Sequence, residues 1–157
     1  MTGVQTCALP ISSAQGAGTP GVSTDIGNAR NTPVEVIESE APLQVECYAI
    51  RQGSGGAGLH AGGDGVRRVY QLLEGRASLS YRGERHVSQA RGAQGGGAGA
   101  SSAARIERAN GIVETLGARA RTEWQAGDRL VIETAGGGGW GALDAATANE
   151  SKQRTLE

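Results

Sequence analysis

The sequence has 157 residues, with 15 basic and 16 acidic side chains and a formal net charge of −1 at pH 7, enough for about one domain. That balance excludes a dedicated nucleic-acid or polybasic membrane-surface binder, and no apolar run approaches the ~20 residues of a membrane-spanning helix. Its 27 glycines, no Phe, two Trp and three Tyr predict a loop-rich, β-containing chain with a thin core.

Residues 1–11 read MTGVQTCALPI, uncharged and broken by Pro10, so they are no signal peptide. They match the translation of a common sequencing adapter and are set aside from fold reasoning, which leaves Cys47 as the lone thiol and no internal disulfide. On that reading the gene is truncated ahead of Ser12. Residues 12–23 read as loop. Thr32, Pro33 and Glu35 then form a capping-box pattern, with Val34, Ile37 and Ala41 at helical spacing, which predicts a helix over residues 33–40 that Pro42 ends.

From Leu43 the period becomes two: Leu43, Val45, Cys47 and Ala49 alternate with Gln44, Glu46, Tyr48 and Ile50, as in a largely buried strand. Residues 53–65 hold seven glycines in thirteen and predict irregular backbone. Residues 66–73 are extended, and Ala77, Leu79 and Tyr81 mark a half-buried strand. A second Gly/Ala/Ser block spans residues 92–102. Asn110-Gly111 predicts a hairpin between residues 105–108 and 112–116. Gly127-Asp128 opens a strand over residues 129–134, with Leu130 and Ile132 on one face. A glycine run at 136–139 ends in Trp140, and residues 144–157 form a polar tail. The glycines cluster rather than recur every third residue, which excludes collagen. The fold class is mainly β, with one short helix and three glycine-rich loops.

No residue pattern amounts to a catalytic site. The G-x-G-x-x-G matches at Gly16/Gly18/Gly21 and Gly53/Gly55/Gly58 lack a following helix, so tight turns explain them better than a dinucleotide. His60 has Asp64 four residues on and is the weak metal candidate; a loop histidine is the simpler reading, for His86 too. Cys47 reads as a small buried hydrophobe. Glu35, Glu38 and Glu40 read as capping and solvated carboxylates, and Arg67, Arg68, Arg119 and Arg121 as solvated strand faces.

The order of motifs is distinctive. Asn31, Thr32, Pro33 and Glu35 precede Gly53, Gly55, Gly56 and Gly58; then come Gly62, Gly63, Asp64 and Gly65, Gly95-Gly96 with Gly99, Gly127-Asp128, and Gly136, Gly137, Gly138 and Gly139 with Trp140 and Gly141. This series resembles the C-terminal part of the hydantoinase B family, which takes in N-methylhydantoinase B subunits, 5-oxoprolinases and acetone carboxylase subunits. The likeness runs from about Thr24 through residue 143. It implies the C-terminal portion of a larger α+β, cytoplasmic subunit. It also implies ATP-dependent opening of a cyclic amide, with ATP on an A-type partner subunit or domain and a divalent metal in the complete enzyme. The family's metal ligands lie in an N-terminal region absent from this sequence, so no catalytic, cofactor-binding or metal residue carries over, and the isolated piece is expected to be inactive. The sequence departs from the family pattern at Ala61, at Ala90-Arg91-Gly92 and at Gly141-Ala142-Leu143-Asp144. A carboxylase-type fragment and a non-catalytic β-rich binding module are the alternatives.

Overall fold

The computed structural model describes residues 12–21 and 31–143; the adapter-like stretch and the polar tail lie outside the described residues. One helix, α1 (Val34–Glu40), precedes seven strands: β1 (Leu43–Arg51), β2 (Gly65–Leu72), β3 (Arg76–Arg82), β4 (Ala103–Glu107), β5 (Val113–Leu116), β6 (Arg119–Gln125) and β7 (Arg129–Glu133). Antiparallel pairing gives a five-stranded sheet in the order β1-β2-β7-β4-β5 and a separate ribbon of β3 with β6.

The ribbon covers one face of the larger sheet. Tyr70, Leu72, Ala104, Ile106, Leu116, Leu130 and Ile132 meet Tyr81 and Trp124 there, with Leu79 and Ala120 at the margin. A fully buried aliphatic or aromatic side chain contributes about 1.5–3 kcal/mol. This small cluster is therefore the main hydrophobic term in a chain that has no Phe. Trp124 belongs to β6, the strand whose limits the sequence leaves undrawn, although Arg119 and Arg121 are on a solvated strand face as expected.

Two local expectations are corrected. The helix starts one residue late: Pro33, with ψ of 146°, is itself the N-cap, and no side chain caps it. Val36 and Ile37 instead donate to the Pro33 carbonyl, and the Thr32–Glu35 box does not close. In β1 a bulge falls between Val45 and Cys47. Leu43 and Val45 pair with Leu72 and Tyr70 on the core side, but Cys47 and Ala49 pair with Val69 and Arg67 on the other. One inserted residue inverts the alternation. As an edge strand β1 is half-buried at best, and Cys47 is neither fully buried nor on the core face.

The far face of the large sheet is charged and balanced. Arg129 pairs with Glu46 and Glu107, Arg105 with Glu107 and Glu133, and Arg67 reaches Glu133 at 3.9 Å. Val69 and Val131 are nonetheless buried on this face, at 2% and 1% exposure.

The predicted hairpin forms, and the Gly127-Asp128 turn locks it down. Gly127 adopts φ of +84°, which favours glycine, and its N–H donates to the Leu72 carbonyl. The buried Asp128 carboxylate accepts from Arg108 Nη1 at 2.8 Å and from the Ala109 and Gln125 N–H groups at 3.0 Å. Its carbonyl accepts from Trp124 Nε1 and Leu72 N–H. Arg108 also donates to the Glu123 carbonyl and Glu114. Burial alone would raise the Asp128 pKa, but the Gln125 N–H, Arg108 and the Ala109 N–H together outweigh it and hold the carboxyl below its ordinary value.

A depressed carboxyl pKa contributes stability that is complete above the unfolded value of about 3.9 and is lost as pH falls through the folded one. Asp128→Asn should therefore cost about 2–3 kcal/mol in urea unfolding at pH 7. The gap between variant and parent should narrow as pH drops below 4. A constant gap from pH 7 to 3 would contradict this assignment.

Candidate functional site: a bundle of glycine backbone

The three glycine-rich stretches, expected as separate loops, converge into one body beside the sheet. Residues 135–141 run through its middle. Gly136 N–H donates to the Ala100 carbonyl and Gly139 N–H to Gly97. Gly137 N–H donates to Gly63 and Trp140 N–H to His60. Gly141 N–H donates to Ala93, while Gly138 abuts the Arg91 carbonyl. Residues three apart thus address the same neighbour, and none bonds within its own segment. That is the period of a polyproline-II helix. The neighbours repeat it: Gly97 and Ala100 donate to Ala57 and Ser54, and Gly18 and Gly21 donate to Ala61 and Asp64.

Such segments approach this closely only where side chains are missing. A Cβ on Gly136 would collide with the Ser54 carbonyl, on Gly139 with Ala57, on Gly138 with Arg91, and on Gly62 with Gly137. Gly56 meets Gly97, Gly96 meets Gly139 and Gly99 meets Gly136 in the same way. The obstacle is backbone each time and cannot rotate aside. Tight turns therefore explain few of these glycines; close lateral approach explains most.

Polar side chains at strand ends sew the bundle to the sheet. Arg51 Nη1 donates to the carbonyls of Ser101 at 2.7 Å and Thr134 at 3.0 Å. Thr134 Oγ1 accepts from Val66 N–H, Ser54 Oγ from Gly65 N–H, and Ser102 Oγ from Ala135 N–H. Ser12 Oγ donates to the Gly138 carbonyl from the N-terminal side. Sequence reasoning singled out none of these; the only signal was a hydroxyl or Arg where a strand meets a glycine run.

Most of the bundle's glycine amides are engaged by the chain itself, with consequences for ligands. In the match at Gly53/Gly55/Gly58, Gly53 and Gly55 N–H donate to the two oxygens of Asp64, at 3.2 and 2.7 Å. The chain's own carboxylate fills the place where a phosphate would sit. The amides of Gly56, Gly62, Gly97, Gly99, Gly136, Gly137 and Gly139 donate to carbonyls. These segments do not fit a nucleotide phosphate.

Nor do the described residues fit a metal: no three His, Cys, Asp or Glu side chains gather among them. His60 lies in the bundle wall, exchanging backbone bonds with Trp140 and holding its ring 5.8 Å from that indole. The Asp64 oxygens are engaged by the glycine loop instead. His86 is half-buried, with Nε2 2.8 Å from the Tyr81 hydroxyl. Burial lowers the pKa of His86 and raises that of Tyr81. Gly127 and Asp128 serve the turn described above, and Pro33 and Glu35 the helix start.

The profile of the hydantoinase B/oxoprolinase family matches residues 5–143. The chain belongs to that family. Among its relatives, this family member is 34% identical to a 5-oxoprolinase of Dictyostelium discoideum over 123 residues, 78% of this chain and 10% of that protein. A 5-oxoprolinase of Arabidopsis thaliana is 35% identical over 80% of the chain and again 10% of its own length. The hydantoinase B-like chain thus spans about a tenth of these relatives. Its fold recurs in an ATP-dependent caprolactamase from Pseudomonas jessenii, with a TM-score of 0.73 at 21% identity over 94% of this chain and 27% of that one. The nucleotide-free structure of an ATP-dependent acetone carboxylase gives 0.70 at 18%, over 90% and 24%. The mainly β architecture with one short helix is therefore part of a longer chain in both.

Glycine substitutions separate packing from mere flexibility. Gly139→Ala should destabilise the chain by about 1–3 kcal/mol or more, because its new methyl meets backbone. Gly117→Ala, where the nearest atom is the Arg119 carbonyl at 4.0 Å, should be neutral or stabilising by about 0.4–1 kcal/mol. Equal effects in urea melts would refute the distinction.

Proposed function

We propose that this chain is the C-terminal, glycine-bundle portion of the B-type component of an ATP-dependent enzyme that opens a small cyclic amide, a hydantoin or 5-oxoproline ring, in the cytoplasm. The observation that carries this reading is the family match across the whole bundle, in a fold also found in an ATP-dependent caprolactamase. The chain's own contribution is structural: it fixes backbone without side chains and presents a rigid wall to the rest of the enzyme. ATP belongs on an A-type partner subunit or domain. A divalent metal, which would activate water, belongs on residues outside those described, since neither group fits the bundle. An ATP-dependent carboxylase is the second reading, supported by the slightly lower likeness of fold to acetone carboxylase.

The test compares the 157-residue chain with the complete gene product co-expressed with its A-type partner. The short chain should turn over neither 5-oxoproline nor hydantoin. The complete pair should open one of these rings with stoichiometric ADP release. ATP-driven carboxylation of a ketone without ring opening would favour the second reading. Turnover by the short chain alone would contradict the structural role.

A further inference from the structure

The β3-β6 ribbon has an outer face that the fold does not use. Ala77, Leu79 and Tyr81 of β3 and Ala120 and Trp124 of β6 turn inward to the core. Arg76, Ser78, Ser80 and Arg82 on β3 turn outward, with Arg119, Arg121, Glu123 and Gln125 on β6, and all are exposed. Arg82 stands directly opposite Arg119, and Arg121 opposite Ser80, so three arginines share one end of the ribbon. Arg76 lies at the other end, opposite Gln125, and Glu123 is the lone carboxylate among the outward residues.

Like charges directly opposite one another weaken a ladder. Among the described residues, the arginines in ion pairs are Arg67, Arg105, Arg108 and Arg129, and none of the ribbon arginines. On the far face of the large sheet, by contrast, three Arg and three Glu interleave and neutralise one another. The ribbon carries an unbalanced positive face at a cost to its own pairing.

We infer that this face docks an acidic surface of a partner protein. A guanidinium fork pairs with carboxylates in a bidentate way, and the serines between the arginines leave those forks unobstructed. Cross-strand neighbours about 5 Å apart suit carboxylates spaced along a protein surface. A long polyanion fits poorly: nucleic-acid binding spreads positive charge over a wide footprint, whereas this chain is −1 overall and its charge beyond the ribbon is net acidic. The inference does not rest on the family reading.

The probe is a fluorescein-labelled ten-residue polyglutamate peptide, titrated with the 157-residue chain and read by anisotropy. It should bind, and added salt should weaken it. The Arg119→Ser/Arg121→Ser variant should lose about tenfold in affinity, while Arg67→Ser, on the far face of the large sheet, should lose none. The double variant should also melt at the same temperature as the parent or higher, because the Arg82–Arg119 repulsion is relieved. Unchanged affinity in the double variant, or equal loss in both variants, would overturn the proposal. Tighter binding of a ten-nucleotide oligothymidylate would reassign the face to nucleic acid. Self-association in sedimentation that the double variant abolishes would reassign it to a second copy. A lower melting temperature would make the arginines part of the fold.

Discussion

The structure depends on lateral hydrogen bonding between glycine-rich backbone segments. The central run, 135–141, has neighbours on three sides, and the period of three hands most of its amides to them in turn. Glycine loses more conformational freedom on folding than any other residue, about 0.5–1 kcal/mol more than alanine. A net backbone hydrogen bond returns about 0.5–1.5 kcal/mol. Ordering glycine-rich backbone offsets that return, so the bundle does not stand by itself. It persists because the sheet holds its ends through Arg51, Ser54, Ser102 and Thr134.

That dependence explains the division of labour. The sandwich of sheet and ribbon supplies the hydrophobic burial, and the Arg108–Asp128 knot fixes the two turns that bring β4, β6 and β7 into register. The bundle supplies shape. Most of its glycine amides donate to neighbouring carbonyls, and among the described residues no three His, Cys, Asp or Glu side chains gather. What it can offer a larger enzyme is a rigid wall of backbone at minimal thickness. The same fold recurs within two larger chains, those of an ATP-dependent caprolactamase and an ATP-dependent acetone carboxylase.

Most strands were legible in the sequence because local alternation and turn chemistry determine them; the Asn110-Gly111 hairpin and the half-buried β3 are examples. The Cys47 face was misread because a single-residue bulge leaves no trace in composition. The helix start was misread by one position because proline's φ suits both the cap and the first turn. The bundle was legible only as clustering. Its order lies in contacts between residues as distant as Ser54 and Gly136, and no local propensity encodes a segment whose every bond is to another segment. Asp128 was singled out through its motif, but its partner Arg108 lies 20 residues away without any pattern to link them.

Native-state hydrogen exchange, resolved to single amides, tests the central claim most directly. If the glycines form a bonded bundle, the amides of Gly56, Gly62, Gly97, Gly99, Gly136, Gly137 and Gly139 exchange as one cooperative unit, with protection comparable to Val131 and Ile132 in β7. Exchange of those amides at free-chain rates, while β7 stays protected, would contradict it.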